Sequence, residues 1–205
     1  LSYPSGELRR ALPEIADAIA GSPLIAPRER KGLLALIDRL AEGDLLETEE
    51  RYVELFDRGR AASLNLFEHL HGDSRDRGTA MIELKRLYEG AGFELATREL
   101  PDYLPVVLEY LSCRNLAEAR AMLADCAHIL KAIASALIGR GSAYAAVLQT
   151  LIVMAGEAPV DAAASRAKAC GQSEDLDREW AEEPAFGGTP SKTDLGRPAP
   201  SSAPR

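Results

Sequence analysis

The sequence predicts an all-α fold: one helical-bundle domain over residues 1–155, followed by a mostly disordered tail over 156–205. Two patterns predict it. Segment after segment repeats apolar residues at three- and four-residue spacing, the period of a helix face, and none shows the alternation of a half-buried strand. The longest such run is Leu116, Ala119, Leu123, Cys126, Leu130, Ile133 and Leu137, a seam that reads as one central core helix. Composition agrees. Hydrophobic residues make up 46% and charged residues 27% of the chain, ordinary for a globular protein, and a domain of about 150 residues buries a substantial core without metal or disulfide support.

Pro4 and Gly6 mark a turn, after which Leu8, Leu12, Ile15 and Ile19 line a helix interrupted or kinked at Pro13. Gly21-Ser-Pro23 closes it. Pro27 opens a second helix, with Leu33, Leu36, Ile37 and Leu40 on one face as far as Gly43. Asp44 followed by Glu47 has capping-box spacing. The helix it starts turns Leu45, Tyr52, Val53 and Phe56 inward and Glu47, Glu49, Glu50 and Glu54 toward water. Asp57-Arg-Gly-Arg60 ends that helix, and a short piece around 65–70 follows. A further helix runs from about Ser74 to Glu89, with Met81, Leu84, Leu87 and Tyr88 inward and Gly90 and Gly92 as stops. Asn115 with Glu118 repeats the capping spacing at the head of the long seam. Gly139 and Gly141 break the chain, and Ser142 caps a last helix that turns Tyr144, Val147, Leu148, Leu151 and Ile152 inward.

The most informative stretch is Leu100-Pro-Asp-Tyr-Leu-Pro-Val-Val-Leu-Glu-Tyr-Leu-Ser112. Its two prolines lack N–H donors and fix φ, so the entry is stiff. Proline also moves the residue before it out of the α region, which places the helix start at Leu104 or Pro105, with Asp102 just outside its positive end. Leu104, Val107, Leu108 and Leu111 then face a core, while Glu109, Tyr103 and Tyr110 occupy the opposite side. A rigid, acidic, aromatic edge of this kind suits docking.

The tail differs in character. Six of the twelve prolines and few large aliphatics lie beyond Gly156, too little apolar surface for a core. Trp180 and Phe186 sit there among Glu179, Glu182 and Glu183. They are either incidental or a short acidic–aromatic motif over 179–187 that orders on a partner.

Charge and cysteine content narrow the function classes. The formal net charge is −8, from 24 basic and 32 acidic residues. That is no footprint of a nucleic-acid binder and favours a basic partner. Cys113, Cys126 and Cys170 form no metal-ligand spacing and suit a reducing cytoplasm. No apolar run reaches the roughly 18 residues of a membrane span. His69 and His71 stand two apart, where a helix points them in different directions, and are not a zinc pair. Asp73 or Ser74 instead caps the following helix, with Asp76 in its first turn. No nucleophile motif or phosphate loop is present.

The proline stretch, together with Glu50-Arg-Tyr-Val-Glu-Leu-Phe-Asp-Arg-Gly-Arg60 and Leu66-Phe-Glu-His-Leu-His-Gly-Asp-Ser-Arg-Asp-Arg-Gly78, resembles the NarJ-type chaperones that assemble the molybdenum cofactor of respiratory nitrate reductase. The three motifs stand in the family's order, and the resemblance runs from about Tyr3 to Ala155; Glu179-Trp-Ala-Glu-Glu-Pro-Ala-Phe-Gly187 in the tail is also similar. It implies an all-helical cytoplasmic chaperone, with further helix before Leu1. The resemblance further implies a binding protein and not an enzyme, with no metal or cofactor of its own.

Its implied partner is the apo catalytic (alpha) subunit of nitrate reductase, including that subunit's basic N-terminal peptide. The client would be held competent for cofactor insertion, and the chaperone would be absent from the finished enzyme. Neither nucleic acid nor membrane insertion is expected. The candidate client groove is Pro101, Asp102, Tyr103, Pro105 and Glu109, with Phe67, His69, His71 and Arg77 nearby. In it Asp102 and Glu109 receive basic side chains, and Tyr103 and Phe67 give apolar contact. Alternatively the prolines set a tight bend and Arg77 with Asp102 is an internal pair. Two other readings stay open: an escort for another molybdoenzyme with a twin-arginine leader, and a small metal-dependent hydrolase built on His69, His71, Asp73 and Asp76.

Overall fold

The computed structural model describes residues 1–71, 76–95 and 99–167. Among these residues there are helices α1 (Gly6–Gly21), α2 (Pro27–Glu42), α3 (Leu45–Phe56), α4 (Leu66–His71), α5 (Asp76–Gly90), α6 (Leu104–Ser112), α7 (Leu116–Asp125), α8 (Ala127–Gly139) and α9 (Ala145–Met154), with a 3₁₀ turn at Arg60–Ala62 between α3 and α4. The expected all-α class is what the chain adopts. Two of the caps read from the sequence form as local chemistry dictates, but Ser142 does not cap α9: the N-cap there is Tyr144, without a side-chain cap, and the Ser142 hydroxyl accepts the Tyr144 N–H at 3.3 Å in the turn before it. Asp44 accepts from the N–H groups of Leu46 and Glu47, and Asn115 accepts from that of Glu118 at 2.9 Å. Secondary structure continues unbroken through Pro13.

The core is centred on α8, which packs against α9 and the 3₁₀ turn, while α2 packs on both α1 and α9. Leu104, Leu130, Ile133, Leu137, Leu148 and Ile152 are fully buried. At Gly32 a Cβ would stand 3.2 Å from the Cβ of Ala146, so its lack of a side chain lets α2 lie closely on α9.

Three expectations are corrected. The seam over 116–137 is not one helix: α7 and α8 meet at a 68° bend. Cys126 ends α7 with φ −98° and ψ 8°, outside the helical range, and its thiol shares its proton between the carbonyls of Met122 (3.3 Å) and Leu123 (3.5 Å) at the break. Spacing records which face is apolar, not where the axis points, and Leu116 at the head of α7 is 38% exposed. On α5, Leu84 and Tyr88 are buried but Leu87 is 47% exposed, because the buried face narrows to positions four apart. Tyr110 is 8% exposed instead of outward, since it follows Val107 by three residues on the same face.

The chain stays docked beyond residue 155. Gln149 accepts from the Val160 N–H at 2.9 Å and donates to its carbonyl at 2.8 Å, and Val160 packs on the core. Asp161 caps a last helical segment over 162–167. Of the tail expected over 156–205, residues 156–167 are described and residues 168–205, with Cys170, Trp180 and Phe186, lie outside the described residues. So do Asp73, Ser74 and Arg75. Among the described residues no single helix is long and apolar enough to cross a membrane.

Leu148→Ala opens a cavity in the fully buried α8–α9 contact. It should lower stability by about 2–5 kcal/mol with an unchanged denaturant slope, measured by urea unfolding.

Candidate functional site

The site grows from one short helix and what fastens it. Segment 64–67 runs antiparallel to 102–104: the Leu104 N–H donates to the Leu64 carbonyl at 2.8 Å, and the Leu66 N–H donates to the Asp102 carbonyl at 3.0 Å. A single bridge pairs Asn65 with Tyr103. Beside it Asp102 Oδ2 accepts the Phe67 N–H at 2.9 Å, capping α4 from 35 residues away. Tyr88 Oη donates to the Pro101 carbonyl at 2.9 Å, and Tyr103 Oη meets Tyr52 Oη at 3.1 Å. His69 Nε2 donates to the carbonyl of buried Ser63 at 2.9 Å.

Asp102 is 0% exposed and its Oδ1 has no hydrogen-bond partner. Burial pushes its carboxyl above the ordinary value, opposed by the Phe67 N–H and then by the nearby Arg77 charge. Arg77 also reaches Glu68, Nη2 to Oε1 at 3.4 Å. The Tyr52 and Tyr88 hydroxyls are likewise raised, burial being the largest cause.

The predicted residues therefore divide. Phe67, His69, Arg77, Pro101, Asp102 and Tyr103 gather around the bridge, and in this arrangement Asp102 is an internal clamp, not a rim charge. Pro105 is half-buried on the first turn of α6. Glu109 is exposed further along α6. It lines a separate pocket of about 170 Å³ with Tyr88, Phe93, Glu94, Val106 and Tyr110. Of His71, only the backbone, at the end of α4, lies within the described features. Tyr88, Phe93 and Glu94 went unnoticed as site residues because nothing in their local spacing shows that α5 folds against α6. A larger cleft of about 590 Å³, with Arg39, Arg51 and Arg140 beside Glu47 and Glu54, contains none of the predicted residues.

Fold and site together define an all-helical protein with aromatic and acidic side chains gathered where α4, α5 and α6 meet. Among the described residues no group of three His, Cys, Asp or Glu could hold a metal ion. The chain belongs to the nitrate reductase delta subunit family, whose model matches residues 5–149. It is 40% identical over 188 residues to the nitrate reductase molybdenum cofactor assembly chaperone NarJ of Escherichia coli K12, covering 89% of this chain and 79% of that protein. It is 33% identical over 153 residues to the "Probable nitrate reductase molybdenum cofactor assembly chaperone NarJ" of Bacillus subtilis, covering 74% and 82%.

Asp102→Ala removes the side-chain acceptor of the half-buried Phe67 N–H and should cost about 1–3 kcal/mol in urea unfolding. Asp102→Asn keeps an acceptor and removes the charge. A carboxyl raised in the folded state binds more protons there than in the unfolded chain, so its ionisation destabilises the fold as pH rises. Wild type should lose stability relative to the Asn variant as pH climbs from the ordinary value of 3.8 through the raised one. A difference flat across that range would contradict a buried titrating carboxylate.

Proposed function

We propose that this protein is an assembly chaperone for respiratory nitrate reductase. It binds the apo catalytic (alpha) subunit, including that subunit's basic N-terminal segment. It holds the subunit competent for molybdenum cofactor insertion and leaves before the enzyme is complete. On this reading it is a cytoplasmic binding protein and not an enzyme. The carrying observation is the 40% identity across 89% of the chain to a protein named for molybdenum cofactor assembly of nitrate reductase.

Physical chemistry supports the reading. A net charge of −8 suits a cationic peptide through charge complementarity and makes the chain a poor unaided host for a polyanionic cofactor, which the client then carries. The proposed docking face is Pro101, Tyr103, Pro105 and Glu109 with Phe67, His69 and His71, supported from within by Asp102 and Arg77. The two prolines and the Tyr88 and Tyr103 hydroxyl contacts hold the surface stiff, so little ordering entropy opposes binding. An amphipathic client helix would lay its apolar stripe on the aromatic side chains and turn its Arg and Lys toward carboxylates.

Calorimetric titration with the N-terminal peptide of the nitrate reductase catalytic subunit tests this. Saturable binding near micromolar Kd, about −8 kcal/mol, should weaken with added salt because exposed charges are screened beyond about 8–10 Å. Absence of binding to both the peptide and the whole apo subunit would overturn the proposal.

A further inference from the structure

The pocket beside Glu109 has the chemistry of a receptor for one cationic side chain. Its floor is a cluster of rings: Tyr88 and Tyr110 are tilted together at 4.7 Å, and Phe93 stands edge-on to Tyr110 at 5.5 Å. Its rim carries two exposed carboxylates, Glu94 and Glu109, and among the described residues no basic side chain lines it. Neither carboxylate enters an ion pair among the described residues. The Tyr110 ring already accepts a cation from its own chain, since the Arg114 guanidinium carbon lies 5.7 Å from its centroid while Nε is held by Glu118 at 2.9 Å. At about 170 Å³ the space is smaller than the roughly 300–1,000 Å³ of pockets for drug-sized ligands and suits a single side chain.

Building on the chaperone reading, we infer that the Tyr88–Phe93–Tyr110 pocket, rimmed by Glu94 and Glu109, is the anchor point for one Arg or Lys of the client's basic segment. The cation lies against aromatic surface and between two carboxylates, where ring attraction and charge act together in a partly water-excluded setting. The rest of the segment lies along the α4–α6 face.

Cys113 is exposed and lines the same pocket, so it reports occupancy. Cys126 provides an internal comparison, its thiol pushed up to about 11 by burial. The full chain is titrated with the N-terminal peptide of the nitrate reductase catalytic subunit, and alkylation of each cysteine by iodoacetamide is followed by mass spectrometry. Saturating peptide should slow Cys113 alkylation several-fold and leave Cys126 unchanged. Glu94→Gln with Glu109→Gln should weaken binding about tenfold, the size expected when a cation–π and charge-paired contact is lost. Glu14→Gln with Glu50→Gln, the same charge change elsewhere on the surface, should bind as wild type. Single Arg- or Lys-to-norleucine peptides should identify one position whose loss is not additive with the pocket variant. Tight peptide binding with Cys113 unprotected, or equal losses in the two double variants, overturns the pocket while the chaperone reading stands. No binding by wild type to peptide or apo subunit overturns both.

Discussion

The contact between the Asp102 carboxylate and the Phe67 N–H holds together the junction of α4 and α6, the face proposed for docking. A helix of six residues cannot offset the cost of nucleating its first turn, so α4 depends on tertiary anchors. Asp102 supplies one of them from the entrance of α6, and the two backbone hydrogen bonds of the adjoining bridge supply others. Because α4 and the 3₁₀ turn before it also rest on α8, this clamp ties α6 to the centre of the core. A carboxylate with no exposure and one unpartnered oxygen is costly to keep, and the Arg77 charge and the Phe67 N–H offset that cost only in part. The face is therefore held by a polar contact whose carboxylate is fully buried.

That inward commitment moves the acidity a partner would meet. With Asp102 occupied, the accessible carboxylates include Glu109 on the exposed side of α6 and Glu94 on the segment after α5. Exposed charges of this kind yield modest energy that salt screens. Aromatic surface does not share that sensitivity. On the proposed reading the protein must release what it binds, and a face that combines a stiff aromatic floor with a screened acidic rim would give contact without permanence. The prolines at 101 and 105 add pre-organisation, since neither position has conformations left to lose.

Local chemistry was legible in the sequence. Asp44 and Asn115 cap where their spacing to Glu47 and Glu118 says they should, and Pro105 with Leu104 before it sets the start of α6. The all-α class followed from the same kind of evidence, because helical spacing is a property of neighbours within a few residues. Residues of the face were also legible by type: Phe67, His69, Pro101, Asp102 and Tyr103 do come together. Their roles were not. His69 serves the Ser63 carbonyl and Asp102 serves an N–H, and nothing within a few residues of either could show which partner would arrive.

The sequence by itself determined the helical character of the main segments, the starts of α3, α6 and α7, and which residues are apolar enough to be buried, since caps, proline geometry and periodicity act over one or two turns. Only the tertiary structure decided the break between α7 and α8, the exposure of Leu87, the burial of Tyr110, and the side on which Asp102 and Glu109 lie. Each of these depends on where a helix axis points and what packs against it. Such contacts join residues tens of positions apart, and their energies leave no periodic trace along the chain.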